Sequence, residues 1–272
     1  MQDKKALQDK LLEIVKYIDK ICRENDIKYS LAYGSVLGAV RHKGFIPWDD
    51  DMDIFLTQEE YSKFKDAFLS ADNEKFFLQE WNIIPNCLEY AKIRMNGTTF
   101  IETNFKELKD VHQGIFVDVF ILHKIPTDYK FKKVYYYINQ YLTLYNLVTN
   151  KNWKAKNKKQ NTIAKLVKFV PNKLIIKSFY NKLNKFDKME KDFNYHHWMM
   201  KGSYKKSLFS RDLFDLIEDI EFEDTKLKCC KNTHEYLTQT YGDYMVLPSE
   251  EQRKEAIHAE IFDTEKNYTE YL

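Results

Sequence analysis

The sequence predicts a mixed α/β (α+β) fold, with a sheet in the first half and a largely helical second half. Three observations carry this expectation. Apolar residues recur every three or four positions over residues 5–24. Short strand-like runs follow, among them DMDIFLT, EYAKIRM and GIFVDVFILHKIP. From about residue 128 the pattern turns mostly helical.

Taken in order, Leu7, Leu11, Ile14, Ile18 and Ile21 define one apolar helix face. IKYSLAYGS reads as a strand over Ile27 to Tyr33, ending at Gly34-Ser35. SVLGAVRH fits two helical turns with Ser35 as N-cap and Gly44 as terminator. DMDIFLT reads as a strand, QEEYSKFKDAFLSA as a helix, and KFFLQEW and EYAKIRM as strands. In GIFVDVFILHKIP, Ile115, Val117 and Val119 face one way and Phe116, Asp118 and Phe120 the other. No repeat or low-complexity tract interrupts the chain. The expected division is a catalytic core over 1–126 and a helical region over 127–272 that packs on it and completes the site.

With 272 residues and 44% hydrophobic content the chain can bury a sizeable core. A net charge of +2 argues against a general nucleic-acid binder. Cys22, Cys87, Cys229 and Cys230 form no C-x-x-C pair, and with no secretory signal they read as reduced thiols of a cytosolic protein. No apolar run approaches the ~18 residues of a membrane span.

The chemistry concentrates in YGSVLGAVRHKGFIPWDDDMDIF, residues 33–55, where four aspartates occupy five positions. Asp51 and Asp53, two apart on a predicted strand, share a face and can converge on a hard divalent cation. Asp118, isolated among aromatic and β-branched residues, is the natural third carboxylate, because a buried lone carboxylate is costly. Asp49 and Asp50 stand just ahead. Gly34-Ser35, at a strand-to-helix junction, suits a phosphate. A phosphate cradle beside carboxylate-bound metal is equipment for phosphoryl transfer. A calcium loop fits poorly, since Ile54 stands where that loop needs glycine. A solvated acidic turn leaves the run Ile54-Phe55-Leu56 and the isolated Asp118 unexplained.

This stretch resembles the signature of the LicD family, which includes the catalytic domains of fukutin-related proteins. YAKIRMNGTTF, GIFVDVFILHKIP and YGDYMVLPSEEQR extend the resemblance, in order, over most of the chain. The resemblance implies a nucleotidyltransferase-like fold using Mg²⁺, with Mn²⁺ as an alternative. Its catalytic roles fall on Asp51, Asp53 and Asp118, which would also hold the metal, and its Gly-Ser element on Gly34 and Ser35. It implies transfer of phosphocholine, or a related alcohol phosphate, from a CDP-activated donor such as CDP-choline. The acceptor would be a hydroxyl of a cell-surface glycan, such as lipopolysaccharide or a teichoic acid precursor, and CMP would leave. Some relatives carry structural zinc; Cys229-Cys230 with His234 is a poor match, so no zinc is expected.

Around that chemistry, Arg41 and His42 either reach donor phosphates or offset the helix C-terminal dipole. Lys92 and Arg94 put two cations on one strand face, for phosphate or for solvent. Trp48 either stacks on a base or choline methyl, or simply packs. Arg253 either completes the site or lies on a helix surface. His196-His197 are structural or surface residues, since adjacent side chains diverge.

Residues 151–188 hold 12 lysines and one acid, a pattern that fits either peripheral contact with an anionic membrane or a solvated helix face. A lipid-linked acceptor at the inner membrane face would suit the first. Two other functions compete: nucleotidyl transfer to a small molecule, and a noncatalytic nucleotide- or glycan-binding scaffold.

Overall fold

The computed structural model describes residues 4–80, 90–102, 111–149, 158–169, 172–197, 204, 206–255 and 258–272. They divide into two compact units, one drawn from within 1–80, 90–121 and 212–272 and the other from within 122–211. The chain thus leaves the first unit along one strand and returns to it for its last 61 residues.

The first unit opens with α1 (Lys4–Glu24), β1 (Tyr29–Leu31), α2 (Tyr33–His42), β2 (Asp53–Thr57), α3 (Gln58–Ser70), β3 (Phe76–Glu80), β4 (Tyr90–Met95), β5 (Thr99–Glu102) and β6 (Phe116–Pro126). Leu7, Leu11, Ile14 and Ile18 of α1 are fully buried, as the spacing requires. Each such side chain contributes about 1.5–3 kcal/mol relative to exposure. Thr57 caps α3 by accepting from the Glu60 N–H. The sheet runs β1-β2-β6-β4-β3. β1 and β2 are antiparallel, as are β6 with β4 and β4 with β3. The central β6 therefore lies between the strand after the aspartate run and the strand bearing Lys92 and Arg94.

The second unit holds α4 (Lys132–Thr149), α5 (Lys158–Phe169), α6 (Asn172–Phe186), β7 (Phe193–His196) and β8 (Leu208–Phe209). Its main core joins Ile125, Tyr136, Phe179, Leu183 and Phe186. The far end of β6 pairs with β7, and β7 with β8.

The chain then returns through α7 (Asp212–Asp215), β9 (Ile217–Phe222), β10 (Thr225–Cys230), α8 (Thr233–Tyr241), α9 (Glu250–Glu255), β11 (Ala259–Asp263) and a 3₁₀ turn at Tyr268–Glu270. The periodicity predicts none of these late strands. β9 and β10 form a hairpin, and β11 pairs with β5. Cys22, Cys229 and Cys230 are buried free thiols; Cys87 lies outside the described residues. Among the described residues no helix is long and apolar enough to cross a membrane.

Three local expectations are corrected. α2 starts at Tyr33 with Ala32 as N-cap, so Ser35 sits inside the first turn. Lys43, left-handed at φ 60°, ends the helix one residue before Gly44. Gly44 matters instead for close approach, because a Cβ there would strike Glu223. β2 begins at Asp53, so Asp51 lies in the extended lead-in and not on the strand.

Candidate active site

The site forms where the α2 N-terminus, the β2 lead-in and β6 meet. The Asp53 N–H donates to Ser35 Oγ at 2.9 Å. A Cβ on Gly34 would lie 2.9 Å from Asp49 Oδ2, so that glycine admits the carboxylate. The Asp118 N–H donates to Met52 O at 2.9 Å, which sets β6 beside the aspartate run. Tyr33, between Ala32 and Gly34, takes φ 41°, a strained value for a bulky residue. Its N–H donates to the buried Tyr236 hydroxyl of α8 at 2.8 Å.

The carboxylates perturb one another. Burial, then the Asp49 charge, pushes Asp51 up to about 8. Burial, then Asp51 and Asp118, raises Asp53 well above the usual carboxylate range. Asp49 rises to about 6 through burial and then Asp50. Burial raises Asp118 against the pull of Lys92. Like charges this close disfavour full ionisation unless a cation joins them.

Two cations already reach the cluster. Lys92 lies opposite Asp118 in the ladder, with its ammonium 3.2 Å from both Asp118 and Glu102 and 3.3 Å from the Phe116 ring centre. His258 Nδ1 stands 3.2 Å from both Asp50 and Asp51. The Asp50 hydrogen bond pulls the His258 pKa up to about 9, so the imidazolium is the neutral-pH form. Asp50 also accepts the His258 and Ala259 N–H groups, both at 2.9 Å, and so anchors the start of β11.

Asp50, Asp51 and His258 bring donor atoms within 4.8 Å of one another, a grouping compatible with a divalent metal. Of the expected set Asp51, Asp53 and Asp118, only Asp51 belongs to that grouping among the described residues. Carboxylate oxygens of this kind fit a hard divalent cation.

Around the mouth, Arg253 lies 4.4 Å above the Trp48 ring and Arg41 5.9 Å from it, with His42 edge-on at 6.1 Å. Arg41 donates to Tyr244 O, and Arg253 to Pro248 O. The structure therefore gathers Gly34, Ser35, Arg41, His42, Trp48 and Arg253 near the aspartates. Arg94 differs: it is buried, and its guanidinium donates to Gln79 Oε1 and Gly114 O. The expectation that it faces phosphate or solvent gives way to a bracing role. Lys92, also buried, serves as counter-charge to Asp118.

The sequence reading missed His258, Tyr236 and Tyr241. Burial, then Asp53, Asp49 and Asp51, pushes the Tyr241 phenol up, which marks it as a neighbour of the cluster. His258 stands alone in KEAIHAEIFD, with no spacing signal. The tyrosines lie in HEYLTQTYGDYM, whose last five residues, beginning at Tyr241, open a motif the resemblance did include. His196 and His197 are buried, so the surface alternative for them is excluded.

A mixed sheet with a Gly-Ser element beside clustered carboxylates is the equipment of a phosphoryl-transfer enzyme. Residues 26–143 match the family model described as LicD/FKTN/FKRP, nucleotidyltransferase domain. The chain is 30% identical to the lipopolysaccharide cholinephosphotransferase LicD of Haemophilus influenzae, over 89% of this chain and 91% of that protein. An uncharacterized protein of Rickettsia typhi is 42% identical over 24% of this chain and 20% of its own length. Another, of Rickettsia prowazekii, is 32% identical over 37% and 39%. The chain belongs to the LicD family.

Proposed function

We propose that the chain transfers phosphocholine from CDP-choline to a hydroxyl of a surface glycan of the lipopolysaccharide type, releasing CMP, at the cytoplasmic side of the membrane. The observation that carries this reading is the geometry that packs the aspartate run against Gly34-Ser35, with Ser35 Oγ on the Asp53 N–H, Asp49 against Gly34 and Asp118 tied to Met52. The extended match to a lipopolysaccharide cholinephosphotransferase supports the substrate class.

Asp51, Asp53 and Asp118 would hold Mg²⁺, which supplies charge neutralisation for the donor pyrophosphate. Ser35 fixes Asp53 through its backbone N–H. Arg41 and Arg253, drawn together at Trp48, meet the donor phosphates. The acceptor hydroxyl attacks the phosphorus bearing choline, a new P–O bond forms, and the P–O bond to CMP breaks with its electron pair. Asp118 either ligates the metal or takes the hydroxyl proton, and in both cases Lys92 keeps that carboxylate oriented.

A panel of CDP-linked alcohols with glycan acceptors, read by mass spectrometry, tests this. Phosphocholine on the glycan together with free CMP is the expected result. Pyrophosphate released from CTP, with no CDP-choline turnover, would replace it with nucleotidyl transfer. Nucleotide binding without any product would leave a scaffold.

A further inference from the structure

The second unit carries a surface of a different character. Between Asp128 and Asp187 the chain has 14 lysines and no acidic residue, although the whole molecule is only +2. α5 buries Ala164 and Val167 against Val148 of α4. Its other apolar pair, Ile163 and Leu166, is 39% and 66% exposed. Three residues apart on a helix, these two share a face. Lys158, Lys159, Lys165 and Lys168 on the same helix are all exposed. The start of α4 repeats the combination, with Phe131, Val134 and Tyr137 exposed alongside Lys130 and Lys133. Of the two flanking acids, Asp187 is already bound to His123 and to the Lys124 N–H.

A solvated lysine face accounts for the charge but not for branched and aromatic side chains standing in water among the lysines. A nucleic acid gains little from Ile163 and Leu166, and the stretch contains no arginine. Protein interfaces exclude lysine from their centres. An anionic bilayer uses both features, taking apolar side chains at the acyl boundary and ammonium groups at the phosphate level. We infer that the exposed faces of α5 and the start of α4 dock the protein on an anionic phospholipid surface. This rests on the proposed transfer to a lipid-borne glycan, because such an acceptor sits at a bilayer.

Co-sedimentation of the full chain with phosphatidylglycerol/phosphatidylethanolamine vesicles, at 0.05 and 0.5 M salt in parallel with phosphatidylcholine vesicles, tests the docking surface. Expected is binding to the anionic vesicles that weakens with salt. The combined K158E/K159E/K165E/K168E variant should bind at least about a hundredfold more weakly. Ile163→Ser with Leu166→Ser should weaken binding about tenfold without changing charge. Circular dichroism and turnover on a water-soluble glycan should stay at wild-type values in both variants. Absence of wild-type binding at low salt overturns the inference. So does unaltered binding by the serine variant, or equal binding to a homopolymer RNA. Loss of turnover in every protein, with vesicle binding intact, instead removes the transferase reading and leaves the surface standing.

Discussion

Two clusters of titratable side chains, a half-buried to buried one in the first unit and a buried one in the second, differ in how they are satisfied. In the first unit Asp49, Asp51, Asp53 and Asp118 crowd together, and their pKa values move up. In the second, His196 and His197 are buried and move down, His197 to about 3, through burial first and then neighbouring histidines. The histidines become neutral and find local partners, as with His196 Nε2 and Ser207 Oγ at 3.1 Å. The aspartates draw Lys92 and His258 from distant segments and still lack positive charge. Burial alone therefore does not mark a reactive centre. Crowded like charge is the better mark of a functional site.

The largest expected effect separates residues within the acidic cluster. Asp53→Asn should lower transfer by at least about a thousandfold while leaving Tm unchanged or higher, because a repelled charge is removed. Asp50→Asn should behave differently and lose about 1–3 kcal/mol, since its oxygens hold the His258 and Ala259 N–H groups. Urea unfolding beside an activity assay checks both. Equal destabilisation by the two variants would erase the distinction between the metal-facing and the anchoring carboxylate.

A second expectation sets the clusters against each other by pH. His197 is neutral in the fold down to about pH 3, whereas in the unfolded chain it takes a proton near 6.5. The unfolded state thus binds more protons between those values, and stability falls as pH drops through them. At pH 4.5 the loss is about 2–3 kcal/mol for this residue. Asp51 acts in the opposite sense. Its folded pKa, about 8, lies above its unfolded value of 3.8, so its contribution is lost as pH rises between them. In chelator Tm should peak in the mildly acidic range. Added Mg²⁺ should raise Tm more at pH 8 than at pH 5, and a uniform gain would contradict the charge deficit. A smaller change is expected from Tyr236→Phe, which removes the partner of the strained Tyr33 N–H. It should cost about 1 kcal/mol and lower kcat more than KM changes, with the fold retained.

Much of this was legible in the sequence where the controlling contacts are local. The α1 stripe, the strand bearing Asp118 and the Gly-Ser-to-aspartate run follow from periodicity, alternation and chemistry within a few residues. Cap and strand edges shifted because Tyr33 is held by Tyr236, 203 residues on, and Asp53 by a bond to the Ser35 side chain that periodicity does not encode. Arg94 read as a phosphate ligand because alternation gives its face, while its partners come from elsewhere, Gln79 from β3 and Gly114 from the loop before β6. His258 was invisible for the same reason: the β11–β5 pairing, not its neighbours in sequence, delivers it to Asp50.

The return of residues 212–272 to the first unit has a consequence for biosynthesis. During translation the aspartates emerge early, yet Tyr236, Arg253 and His258 follow about two hundred residues later. A ribosome-tethered chain stalled before residue 233 holds its acids without the Tyr236 hydroxyl and the His258 imidazole, so the cluster acquires these partners only once residues 233–258 have been made.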